Sequence, residues 1–323
     1  MAENVETVKG TSLGRDAWRR LLKNKLAVFG LVVMVLMVIA VTIGPLIIRL
    51  TTGITADYIP SDIGNGEMVN SFPPSASHPM GTDEAGRDML ARVLQGGRIS
   101  LMVGVISTFV SLIVGVSYGA IAGYLGGRID NIMMRIVDII YAIPYILIVI
   151  VLLSVFGGPN TPSWISWLSE RFGGAGNQGL SQIFLLFFAL GLVSWLTMAR
   201  VVRGQILSLK NQEFVLAAKA TGVSTFGIIF RHLVPNALGP VIVYATLTVP
   251  SVMLTEAFLS FLGIGVQAPF ASWGSLAADG IKNIAVYPWQ LIFPGVTMAL
   301  TLFSLNFLGD GIRDALDPQT RKF

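Results

Sequence analysis

The chain offers little to do chemistry with. Its 323 residues include 18 Asp+Glu, 22 Lys+Arg, two histidines and no cysteine. The missing cysteines exclude disulfides, iron–sulfur clusters and thiolate zinc sites. His78 and His232 are too far apart in sequence to suggest a histidine-rich metal site. The densest group of potential ligands is His78, Asp83, Glu84 and Asp88, in His78-Pro79-Met80-Gly81-Thr82-Asp83-Glu84-Ala85-Gly86-Arg87-Asp88. Its oxygens would suit a hard cation, but the spacing fits no EF-hand loop, and a structured turn is the expected outcome. Glu256 is an isolated acid inside an apolar stretch. It either lines a translocation path or is a buried, hydrogen-bonded carboxyl. Arg135 and Asp138 stand at i, i+3, which predicts a structural ion pair on one helix face, with a functional intramembrane charge as the alternative.

Catalytic signatures are missing. There is no G-x-x-x-x-G-K-[ST] phosphate loop, no H-E-x-x-H and no G-x-S-x-G. Gly309-Asp310-Gly311 lacks the first glycine of an intramembrane aspartyl-protease G-x-G-D. No catalytic, cofactor-binding or metal-binding residue is assigned, and the chain is not expected to be an enzyme.

The elements that carry these residues follow from composition. Apolar residues make up 53% and charged residues 12%, with mean hydropathy +0.71. Soluble domains carry about 25% charged residues, so this surface must be met by lipid. Six apolar stretches, about 26–48, 99–124, 132–156, 183–202, 237–262 and 287–308, are each long enough to cross a hydrocarbon core of about 30 Å. The first is too long for a secretory leader and reads as a retained anchor. The expected fold is an all-α polytopic membrane protein of six transmembrane helices. Its parts are a cytoplasmic segment 1–25, a first span 26–48, an extracytoplasmic loop 49–98, a five-helix core 99–310 with a cytoplasmic loop 203–236, and a tail 311–323.

Charge placement sets the orientation. Only Arg49, Arg87, Arg92, Arg98, Arg171 and Lys282 fall in segments opposite the N-terminus; the other 16 Lys and Arg share its side. The positive-inside rule then gives N-in, C-in. It also accounts for a pI of 9.4 without nucleic acid. Trp164 and Trp167 in the outer segment 157–181 read as interfacial anchors. Gly115, Gly119 and Gly123 share one helix face and predict close packing, within the chain or at a subunit interface.

The segment Glu213-Phe214-Val215-Leu216-Ala217-Ala218-Lys219-Ala220-Thr221-Gly222, continuing to His232-Leu233-Val234-Pro235-Asn236, reads on its own as a cytoplasmic helical hairpin broken at Gly222 and Pro235. Small Ala217 and Ala218 suit a helix seated closely in a partner's groove. The segment resembles the E-A-A loop of permease subunits of ATP-binding-cassette (ABC) importers. Leu216-Ala217-Ala218 stands for E-A-A, Gly222 is kept, and His232-Leu233-Val234-Pro235 stands for I-x-L-P. Further stretches resemble the C-type permease of dipeptide/oligopeptide/nickel importers. These are His78–Asp88; Gly123-Tyr124-Leu125-Gly126-Gly127 with Asp130, Arg135 and Asp138; Glu256-Ala257-Phe258-Leu259-Ser260-Phe261-Leu262-Gly263 with Ser272-Trp273-Gly274; and Asn306–Gly311 with Leu316-Asp317-Pro318.

The resemblance implies a type I ABC importer permease fold in a bacterial inner membrane. It implies a second homologous permease, two ATPase subunits carrying ATP and Mg, and an extracytoplasmic substrate-binding protein. Glu213, Phe214, Ala217, Ala218, Lys219, Gly222 and Pro235 would form the ATPase-coupling loop. Dipeptides, oligopeptides, nickel complexes and other small solutes are all compatible. The competing class is an ion-coupled secondary transporter or channel that uses Glu256 or Asp138; a third is a non-transporting scaffold.

Overall fold

The computed structural model describes residues 13–59, 71–156, 160–173 and 178–316. Lys9, Asp317, Pro318, Arg321 and Lys322 lie outside the described residues. An amphipathic helix α1 (Leu13–Lys23) leads to Asn24, whose side chain accepts from Leu26 N and Ala27 N. That cap starts the first span, α2 (Lys25–Thr52), which runs through Pro45 to a left-handed Gly53. Asp88 caps α3 (Met89–Leu125) by accepting from Ala91 N. The second span thus begins ten residues before the expected 99, because the cap and not the apolar window sets its start.

The third stretch departs most from expectation. The sequence predicts one span over 132–156. The structure has α4 (Gly127–Ala142) and α5 (Tyr145–Phe156), bent by 85°. Pro144 lacks an N–H, and proline pushes the preceding residue out of the helical region; Ile143 is extended at φ −83°, ψ 129°. A short α6 (Ser163–Gly173) precedes α7 (Gln178–Leu209). Next come α8 (Glu213–Ala220) and the long α9 (Thr225–Phe261).

Pro235 does not break the chain as expected. A π-helical turn, Ile228–Leu233, immediately precedes it, and Val234 N bonds Ile229 O five residues back. The wider turn makes room for the proline ring, and the helix continues. Pro240 and Pro250 also sit within this helix. The last described elements are α10 (Trp273–Lys282) and α11 (Trp289–Leu316).

Among the described residues five helices are long and apolar enough to span a membrane, and the bent α4–α5 pair makes a sixth candidate. This is a multi-pass membrane protein. At one end of the bundle Leu21 and Ala27 pack with Ala315. At the same end α8 packs on the terminal turns of α3 and α7 through a cluster containing Ala120, Ile206, Val215 and Ala218. The central seam joins α3 to α7. A Cβ on Gly115 would lie 2.6 Å from Met198 Cβ, one on Gly119 would strike the Ala199 carbonyl oxygen, and one on Gly123 would lie 3.0 Å from the Arg203 carbonyl oxygen. All three glycines therefore face α7 of their own chain, and these contacts let the two backbones touch.

Candidate functional site

The group containing His78, at the end of the bundle opposite α8, is a turn clamped by its own side chains. One Asp83 oxygen accepts from Ala85 N and Arg87 N, both at 2.9 Å; the other accepts from Arg87 Nε and Arg92 Nη1, both at 2.7 Å. Asp88 spends one oxygen on its helix cap and the other on His78 Nδ1 at 2.8 Å. Glu84 accepts from Asn283. The Thr82 carbonyl accepts from Trp289 Nε1 and Gln290 Nε2, both at 3.1 Å, which pins the turn to the start of α11. With its carboxylates committed in this way, the cluster is a structural clasp.

Glu256 on α9 is 1% exposed. Its Oε1 accepts from Ser260 Oγ at 2.6 Å and Ser272 Oγ at 2.7 Å. Ser272 in turn caps α10 through a capping box with Ser275, and Trp273 N donates to Ser100 Oγ of α3 at 3.0 Å. The carboxyl joins α9, α10 and α3 in the interior. It is buried and hydrogen-bonded.

The expected Arg135–Asp138 pair is replaced. Asp138 accepts from Arg200 Nη2 of α7 at 2.8 Å, and Arg200 stacks over the Tyr141 ring at 4.4 Å from its centroid. Arg135 is exposed one turn before Asp138 on α4. The sequence spacing described one helix, while the neighbouring helix supplies the better partner. A second α4–α7 link is bidentate: Arg203 Nε and Nη2 donate to Asp130 at 2.6 and 2.7 Å. Sequence reasoning missed Arg200 and Arg203 as partners, because their roles depend on where α4 crosses α7. It also missed a half-open cavity of about 540 Å³ at the Pro144 bend, lined by residues of α4, α5, α7 and α9. The one available signal was Pro144 itself.

At the other end of the bundle, α8 presents two faces. Val215 and Ala218 are buried against the bundle, whereas Glu213, Leu216, Ala217 and Lys219 are exposed and Phe214 is half-buried. Ala217 and Ala218 therefore do not share a partner-facing surface. Ala218 is small so that α8 can sit on its own chain, and Ala217 faces outward. Lys219 Nζ lies 5.4 Å from the centroid of Tyr124 at the end of α3. Gly222 stands at φ 78°, with nothing within 4 Å of an added Cβ, so backbone conformation alone selects glycine there. Beyond it Phe226 is 71% exposed. Pro235 lies near the start of α9, within the helix, and is exposed.

Known proteins resemble the chain along most of its length. The family profile "Binding-protein-dependent transport system inner membrane component" matches residues 115–322, and "N-terminal TM domain of oligopeptide transport permease C" matches residues 12–62. The oligopeptide transport system permease protein OppC of Salmonella typhimurium is 48% identical over 321 residues, covering 99% of this chain and 95% of that protein. The dipeptide transport system permease protein DppC of Bacillus subtilis is 44% identical, covering 98% and 90%. A solved structure of the MetNI methionine ABC transporter in inward-facing conformations covers 71% of this chain at 20% identity and TM-score 0.47. With a profile match over more than half its length and such identity end to end, the chain belongs to the family of binding-protein-dependent transport system inner membrane components.

Proposed function

We propose that this chain is a transmembrane permease subunit of an ABC importer for dipeptides or oligopeptides. It would form one translocation path with a second, related permease in a bacterial inner membrane, with both termini in the cytoplasm. The observation that carries the reading is identity of 43–48% to permeases of dipeptide and oligopeptide transport systems across nearly the whole chain. The inner-end geometry supports it. Leu216 and Phe226 are exposed apolar groups beside Glu213 and Lys219, a surface suited to docking a soluble ATPase. ATP and Mg would sit on two such partner subunits, so hydrolysis would occur there and not on this chain. A substrate-binding protein would deliver peptide at the opposite end. Glu256, the acid an ion-coupled mechanism would use, is buried and bonded to Ser260 and Ser272.

The test is ATP-dependent peptide uptake by the reconstituted complex. Gly222→Val forces a β-branched residue into the left-handed region at a cost of about 1–2 kcal/mol locally, and uptake is expected to fall about tenfold or more with membrane insertion unchanged. Full uptake in that variant would remove the coupling role. Uptake driven by an ion gradient without ATP would overturn the reading as a whole.

A further inference from the structure

We infer that the cavity at the α4–α5 bend is this chain's share of the substrate path, and that it takes the main chain of a short peptide through uncharged hydrogen-bonding groups. The inference rests on the permease reading and specifies where on this chain the substrate passes.

Two independent observations meet there. The first is the break. A helix interrupted at membrane depth leaves backbone groups that lipid cannot satisfy, so such backbone must be covered by protein or must line water. In this chain Tyr141, Ile143, Pro144 and Tyr145 are exposed, so their own bundle does not cover them. The bend also lies at mid-height. It faces Val193–Thr197, near the middle of α7, and Tyr244–Thr255 in the outer half of α9.

The second observation is the chemistry of the wall. The cavity, at about 540 Å³, falls in the range of small-molecule pockets, about 300–1,000 Å³. Tyr141, Tyr145 and Tyr244 line it together with Ser194, Thr197, Thr248, Ser251 and Thr255, and none of its described lining residues is Asp, Glu, Lys or Arg. Three of the hydroxyls give their protons to their own helices. Ser194 donates to the Leu190 carbonyl at 2.8 Å, Thr248 to the Tyr244 carbonyl at 2.8 Å and Thr255 to the Ser251 carbonyl at 3.0 Å. What they keep is acceptor capacity. The tyrosine hydroxyls can both donate and accept; that of Tyr141 lies 3.4 Å from Thr197 Oγ1. Acceptors for amide and ammonium N–H, donors for carbonyls, and aromatic faces match a peptide backbone. With no fixed charge on the wall, no sign of substrate side chain is selected. The nearby charges, Asp138 and Arg200, neutralise one another one turn inward of Tyr141 and Thr197.

The chain has no cysteine, so one introduced thiol reports one place. Ser251→Cys on α9 and Ser194→Cys on α7 are near-isosteric variants on facing walls. They are reconstituted with the second permease, the ATPases and the binding protein, then treated with a membrane-impermeant maleimide, with labelling read on this chain after gel separation. The expected result is labelling of both, slowed about threefold by millimolar tri-alanine, with loss of uptake once labelled. Phe303→Cys, on the exposed face of α11, is expected to stay unlabelled. If the cavity thiols react no faster than that control, the second permease or lipid fills the cavity and the inference fails. It also fails if they react but tri-alanine gives no protection and labelled complexes transport normally. Uptake by the unsubstituted complex is scored separately: its absence would defeat the permease reading, while its presence with inert thiols would defeat only the cavity.

Discussion

The α3–α7 seam and the α4–α5 elbow are built on opposite principles. Along the seam, Gly115, Gly119 and Gly123 bring two long helices to backbone contact, and Gly191 returns the contact from α7, where a Cβ would lie 2.6 Å from Val110 Cβ. Packing of that kind has little tolerance for displacement. The elbow shares far less surface with the bundle. Ile132, Ile136, Ile139, Leu147, Val151 and Val155 are all exposed, while Val137 and Val149 are its buried aliphatic anchors. It is tied down at points: the Asp130–Arg203 and Asp138–Arg200 pairs and the Tyr118 hydroxyl donating to the Met133 carbonyl at 2.8 Å. One region is a frame welded along its length, the other a wall pinned at a few places and open on its far face. A permease that alternates access needs both, since rigid elements transmit a movement and a loosely held one takes it up.

The largest test of that contrast removes a pin. Asp130→Ala leaves Arg203 without its bidentate partner, and breaking a buried pair costs about 3–5 kcal/mol. The Asp130 side chain is 8% exposed and Arg203 33%, so the lower end of that range is expected. Denaturant titration of the purified complex gives the value. A loss under about 1 kcal/mol would show that apolar contacts hold α4 and that the pins are incidental.

The next test works on the weld. Gly119→Ala drives a methyl group into the Ala199 carbonyl, and overpacking of this kind costs about 1–3 kcal/mol. Gly204 lies in the same partner helix, with nothing within 4 Å of an added Cβ. There Gly→Ala should be neutral or stabilising by up to about 1 kcal/mol, by helix propensity alone. Thermal shifts of the two variants should therefore have opposite signs or differ several-fold. Equal shifts would mean that the seam is no tighter than the surface beside it.

The seam was legible in the sequence and the elbow was not, for a physical reason. Glycines at i, i+4, i+8 advertise a close-packed face using the helix's own period. The stretch 132–156 has the composition of a span, and Pro144 looks like other span prolines. Pro45, Pro240, Pro250 and Pro294 all lie inside continuous helices. Whether a proline breaks a helix depends on what neighbours do with the freed carbonyls, and that information is tertiary. The π turn that carries α9 through Pro235 is the same lesson with the opposite outcome. Ion-pair choice is tertiary too. Arg135 lies one turn from Asp138 in sequence, yet the crossing of α4 over α7 delivers Arg200 instead. The outer clasp was readable as a turn because its polar residues fall within eleven positions; its anchor at Trp289 and Gln290 was not.

The smallest effect is the sharpest probe of what covers the elbow. The Asp138–Arg200 side chains are 59% and 40% exposed on this chain, and exposed pairs contribute about 0.2–1 kcal/mol. A double-mutant cycle with Asp138→Asn and Arg200→Gln isolates their coupling from the separate stacking of Arg200 on Tyr141. A coupling within that range, weakened by added salt, would mean that water reaches the pair and the elbow stays open beside it. A coupling well above it, and insensitive to salt, would mean that a partner subunit closes over the pair and desolvates it. The elbow would then be as firmly welded as the seam, with the weld made by a partner subunit instead of by α7.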